Sequence, residues 1–182
     1  MKYYSGIGSR TINENIKVNM ITLATALSLQ GYTLRSGNAT GSDQAFADGV
    51  VKDMAQIWPP WMGFNQDFQD KYPDHRYRLV GHHHSVGEDD ADAWDSIEKF
   101  HPKPEALNSN GRCFMARNYR QIVGLGEPDS EFVICWTHDG TDVGGTGQAI
   151  RIAKDRGIPV YNLFDMTPTD IFKEIIKRNL IN

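Results

Sequence analysis

The sequence has little cysteine, no long apolar run and no excess of positive charge, and each shortage removes a class of function. Only two cysteines, Cys113 and Cys135, occur among 182 residues. They form neither a CxxC pair nor a disulfide framework, so the chain reads as one for a reducing compartment with buried thiols. The longest uninterrupted apolar run, Phe132 to Trp136, falls far short of a membrane span. Met1-Lys2-Tyr3-Tyr4-Ser5-Gly6 enters strand-like, glycine-rich sequence without the apolar stretch of a secretory leader. The expectation is a cytoplasmic protein with no membrane partner. A formal charge of -4 speaks against coating nucleic acid through overall basicity, because that mode relies on many lysines and arginines. It leaves room for a local basic pocket.

What is present is an ordinary globular composition, 40% hydrophobic with 17 glycines. The length suits one domain over residues 1–182. Strand-like segments at Lys2–Ser5, Tyr32–Arg35, Ala55–Trp58, Glu131–Trp136 and Ile158–Leu163 alternate with helical ones. The helices are expected over Asn13–Gln30, Asp43–Met54, Arg112–Val123, Gly147–Asp155 and Thr169–Leu180. In the first of them Ile16, Met20, Leu23, Ala24 and Leu27 recur at helical spacing, and Gly31 follows as a stop. Such alternation predicts an α/β fold of Rossmann type, an open and mainly parallel sheet with helices on both faces. The pattern breaks over about 59–111, where five of the eight prolines and two of the four tryptophans lie. A long irregular insertion in a compact fold is more often a functional lid or packed excursion than a plain connection.

Three loops carry the chemical signal. Gly6, Gly8, Ser9 and Arg10 follow the first strand. Ser36, Gly37, Asn38, Gly41 and Asp43 follow the second. Gly144, Gly145, Thr146 and Gly147 follow the strand that ends at Trp136, preceded by Asp139 and Asp142. Glycine lets backbone approach a ligand, and free N–H groups at a helix start favour anions. In an open parallel sheet these loops share one edge, where ligands bind at the topological switch point. The expected ligand carries phosphate and sugar hydroxyls, as a nucleotide does. Arg10 and Arg117 would contact phosphate, amides near Gly8, Gly41 and Gly145 would hold it, and Asp43 would orient the sugar. Asp43 is also simply read as a helix N-cap. The GxxxxGK[ST] lysine is absent, and Thr11 interrupts GxGxxG, which disfavours ATP hydrolysis and a standard NAD-dependent dehydrogenase.

The first two loops, Ser5-Gly6-Ile7-Gly8-Ser9-Arg10 and Ser36-Gly37-Asn38-Ala39-Thr40-Gly41-Ser42-Asp43, resemble the GSR and SGxAxGxD motifs of the DprA/Smf family. Met115-Ala116-Arg117-Asn118 with Gly144-Gly145-Thr146-Gly147 resembles the MxxRK and PGGxGTxxE motifs of LOG proteins. Both families belong to the SLOG superfamily, and the chain is similar to small stand-alone members encoded by phages. The resemblance covers roughly residues 1–58 and 111–163. It implies a Rossmann-like fold, a nucleotide-type ligand and a homo-oligomer. From LOG it implies N-glycosidic bond hydrolysis of nucleotides, with Arg117 as the matching arginine. The motif glutamate falls on Arg151. A cation cannot take the place of a carboxylate beside an oxocarbenium-like centre. An enzyme would therefore need Asp43, Asp139 or Asp142 instead, and the loss favours a sensor or sequestering protein. From DprA the resemblance implies single-stranded DNA binding in recombination or DNA processing.

Other clusters are weaker. His82-His83-His84 cannot converge on one ion from a regular element, so no metal is expected. Glu88-Asp89-Asp90-Ala91-Asp92, with Asp95 and Glu98, reads as an exposed acidic helix start. Arg112, Arg117 and Arg120, with Lys154 and Arg156 beyond the third loop, form either a basic patch or a solvated surface. Trp58, Trp61 and Phe64 either stack on a nucleobase or fill core beneath the insertion.

Overall fold

A computed structural model describes residues 1–51, 53–80, 90–178 and 180. Strands β1 (Lys2–Gly8), β2 (Tyr32–Ser36), β3 (Ala55–Ile57), β4 (Arg76–Tyr77), β5 (Val133–Trp136) and β6 (Val160–Asn162) form one sheet in the order β4-β3-β2-β1-β5-β6. Every pairing is parallel, so every strand needs a crossover and both faces are covered. The fold is the expected open Rossmann-like α/β sheet. β1 lies between β2 and β5, which makes the β1/β5 boundary the point where the strand order reverses.

Helices α1 (Glu14–Leu29), α2 (Ser42–Gly49) and α7 (Pro168–Lys177) pack on one face, burying Leu23, Phe46 and Ile171 against Leu34 and Ile134. Helices α4 (Ala91–Phe100), α5 (Ser109–Val123) and α6 (Gly144–Asp155) pack on the other, burying Ile97, Ile122 and Ile152 against Val133 and Cys135. The period of two in β5 divides its side chains between the two cores. Capping explains several boundaries. Asn13 Oδ1 accepts from the Ile16 amide at 3.0 Å, and Asn108 Oδ1 from the Gly111 amide at 2.8 Å. Thr167 and Asp170 form a reciprocal capping box around Pro168 at the start of α7. Thr167→Ala should cost about 1 kcal/mol, read as a shifted urea midpoint. An unchanged midpoint would show that water replaces the cap at no cost.

Several boundaries differ from the sequence expectation. β1 runs on to Gly8, so the first two glycines of the loop lie inside the strand. α2 stops at Gly49, short of the expected Met54, where a Cβ would sit 2.4 Å from the Ile21 carbonyl of α1. α6 begins three residues earlier than expected, placing Gly144, Gly145 and Thr146 in its first turn. The 59–111 insertion contributes α3 (Gln66–Lys71), edge strand β4, α4 and a short 3₁₀ turn at Pro104–Ala106. Among the described residues, no helix is long and apolar enough to cross a membrane.

Candidate functional site at the sheet switch point

The carboxyl ends of β1 and β5 open into a cleft of about 570 Å³. Main-chain bonds stitch its rim together: the Ser9 amide donates to the Trp136 carbonyl at 3.0 Å, and the Ser42 amide to the Ser9 carbonyl at 3.0 Å. Of the residues expected from sequence, Gly8, Ser9, Arg10, Asp43, Arg117, Asp139, Gly144, Gly145 and Thr146 line this cleft. The others stand behind its wall. Gly6 packs under Phe46 and Leu34, and its carbonyl accepts from Ser36 Oγ at 2.6 Å. Asn38 Nδ2 donates to the Phe64 carbonyl at 2.7 Å, while Asn65 Nδ2 donates to the Asn38 carbonyl at 2.6 Å, clasping the insertion to the second loop. Gly147 is pressed on the Asp142 carbonyl, where a Cβ would come within 2.0 Å. The Asp142 carboxylate pairs with Lys154 and is not part of the cleft lining.

Gly37 has a role in positioning that its neighbours explain. A Cβ there would lie 1.1 Å from Arg117 Nη1 and 2.6 Å from Gln121 Nε2. Only a residue without a side chain lets α5 deliver Arg117 to the floor. There Arg117 Nη1 donates to Asp43 Oδ2 at 3.2 Å, and both side chains are buried. Asp43 is not the N-cap that its position suggests. α2 starts one residue earlier, its N-cap position is Gly41 with no side-chain bond, and the Asp43 carboxylate turns back to accept from the Ala39 amide at 3.1 Å. Burial pushes the Asp43 carboxyl above its ordinary range, and Arg117 beside it pulls it back. Burial likewise lowers the Arg117 guanidinium, which Asp43 counteracts. A group as basic as guanidinium stays charged under such a shift.

Arg10 and the start of α6 provide the exposed positive end of the cleft. The Arg10 guanidinium lies over the Phe114 ring, 4.7 Å from its centroid, and makes no ion pair among the described residues. α6 has no side-chain cap and no acidic residue in its first turn, so its leading amides are available to an anion. Asn118 Nδ2 holds this turn in place by donating to the Gly145 carbonyl and to Gln148 Oε1, each at 3.0 Å. The expected basic patch is otherwise neutralised. Arg112 pairs with Glu98, Arg120 is buried against Asp90, and Arg156 bridges Asp129 and Tyr119.

The aromatic set divides. Trp58 is fully buried, whereas Trp61 and Phe64 join Phe114 in an edge-to-face trio with centroids 5.1–5.5 Å apart. His82 to His84, Glu88 and Asp89 lie outside the described residues. Within them, Asp90 is bound by Arg120 and Glu98 by Arg112.

No family model matches the sequence, and no curated protein matches it. Among solved structures, it is similar to DNA processing protein A of Helicobacter pylori, described for its single-stranded DNA binding mode. The match has a TM-score of 0.62 at 18% identity and covers 100% of this chain and 74% of that one. The chain has a DprA-like Rossmann fold. At this identity the likeness is one of fold, and the site must be argued from its own residues.

Within that DprA-like fold, Arg151, onto which the LOG-like motif would bring its glutamate, is a structural cation. Arg151 Nε donates to the Phe100 carbonyl and Nη1 to the Asp142 carbonyl, each at 2.8 Å, tying the insertion to the third loop. Phe114, Asn118 and Gln121 are cleft residues that sequence reasoning missed. Their signal is helical spacing, because positions 114, 117, 118 and 121 share one face once Arg117 is placed.

Proposed function

We propose that this chain binds single-stranded DNA, drawing one nucleotide of the strand into the switch-point cleft. The observation that carries the reading is the convergence of Arg10, unpaired among the described residues, the uncapped start of α6 and the Phe114 ring around a space of single-nucleotide size. Phosphate suits the cation and the helix start, and a base suits the aromatic wall. The DprA-like fold supports this reading, because the similar Helicobacter pylori protein binds single strands. We assign the activity to the cytoplasm. A free nucleotide is the second reading, favoured by the pairing of most arginines outside the cleft, which leaves little surface for a long phosphate track. Bond cleavage is disfavoured because Arg151 stands where the LOG carboxylate belongs.

Fluorescence anisotropy with a labelled oligothymidylate, titrated against salt, tests the proposal. The strand should bind at low salt with a shallow salt dependence, reflecting one or two neutralised phosphates. Arg10→Ala should weaken it about tenfold, the scale of one charged hydrogen bond. Binding of thymidine monophosphate as tightly as the strand would move the assignment to a free nucleotide. Affinity unchanged by Arg10→Ala would show that phosphate lies elsewhere.

A further inference from the structure

The floor of the cleft holds two donors that the fold itself leaves unpaired. Arg117 Nε and Gln121 Nε2 are both buried, and neither has a hydrogen-bond partner among the described residues. The residues are only 6% and 2% exposed, and both line the cleft. One helical turn apart on α5, they point to the same side, and both crowd the space a Cβ of Gly37 would fill. Buried polar groups without partners are rare in native structures, and two converging on one cleft call for an acceptor brought by the ligand.

The chemistry of the surroundings selects that acceptor. Asp43 Oδ2 lies 3.2 Å from Arg117 Nη1, so a phosphate at the floor would bring its charge against a buried carboxylate. A neutral carbonyl oxygen carries no such penalty. Ile7, Phe114 and Met115 add apolar lining suited to a flat ring. The same carboxylate can accept from a ring N–H next to that carbonyl.

We infer that Arg117 and Gln121 read the base of the bound nucleotide, accepting those bases, thymine and guanine, that set a carbonyl beside a ring N–H. Adenine has no carbonyl and leaves the donors unpaired. This inference rests on the strand-binding reading and adds base selection to it. Phosphate binding stays with Arg10 and the start of α6.

The test compares oligothymidylate of about a dozen nucleotides with the same strand built from difluorotoluene, a thymine-shaped base without carbonyl or N–H groups. The wild-type chain should bind the thymine strand about tenfold more tightly, the scale of one or two hydrogen bonds to a buried site. Gln121→Leu should shrink that ratio to about twofold or less, since the amide donor is lost at similar side-chain size. Gln121→Glu keeps the side-chain size but presents a carboxylate to the carbonyl, and should reduce the ratio as well. Arg10→Ala should weaken both strands alike. Should a variant fail to fold, the wild-type comparison still decides. Equal wild-type affinity for the two strands overturns base reading and leaves strand binding intact. Failure to bind either strand at low salt overturns both. Free thymidine and adenosine monophosphates, run in parallel, distinguish a base read within a strand from one read in a free nucleotide.

Discussion

Replacing Arg117 with methionine should destabilise the fold by about 3–5 kcal/mol at neutral pH, the cost of leaving one partner of a buried ion pair uncompensated. Asp43 and Arg117 are each less than a tenth exposed, and among the described residues the Asp43 carboxylate otherwise accepts a hydrogen bond only from the Ala39 amide. The pH dependence follows from the carboxyl being pushed up by burial. The folded chain holds the Asp43 proton more tightly than the unfolded chain does. The associated stability is complete below the ordinary aspartate range, about 4, and is lost as pH rises through the folded value. Removing Arg117 takes away the pull that limits this shift, so the loss should reach further towards neutrality. Urea unfolding across this range should show a small deficit for Arg117→Met under acid conditions and a growing one as pH rises. Adding Asp43→Asn should recover much of the stability. A deficit independent of pH, or no recovery in the double variant, would show that Arg117 contributes packing and not charge compensation.

The second large effect is expected at Gly41. Its φ of +79° lies where side chains are strained, and a Cβ would meet the Arg10 carbonyl oxygen at 2.3 Å and the Ser9 carbonyl oxygen at 2.6 Å. These neighbours are backbone and cannot swing aside. Gly41→Ala should therefore cost about 3 kcal/mol, combining left-handed strain with overpacking. It should also weaken strand binding, because the Ser9–Arg10 segment has to move with the Arg10 side chain attached. Ligand affinity and the urea midpoint should fall together. A stable variant with unchanged affinity would mean that the first and second loops are not coupled through this contact.

These two positions illustrate different degrees of legibility. Gly41 stands in a loop whose glycines were readable as places of close backbone approach. What it approaches, the Ser9–Arg10 backbone, is more than thirty residues away in sequence. Arg117 could be placed by motif resemblance, and Asp43 by its position at a helix start. That they face each other was not readable, because the contact joins α2 to α5 across the sheet edge. The N-cap reading of Asp43 failed for a local reason: one extra residue at the start of α2 carries the carboxylate into the first turn. Gly37 looked like part of a phosphate loop, whereas its neighbours show it making room for the Arg117 guanidinium.

Alternating strand and helix periods by themselves determined a parallel α/β sheet, since parallel neighbours can be joined only through crossovers, which the intervening helices supply. The order of the loops along the chain likewise placed the glycine clusters on one sheet edge. Only the tertiary structure decided which of those residues meet in the cleft, which arginines are neutralised by carboxylates from other elements, and which donors of α5 remain unpaired. These outcomes depend on contacts between segments distant in sequence, and local periodicity carries no record of partners across the fold.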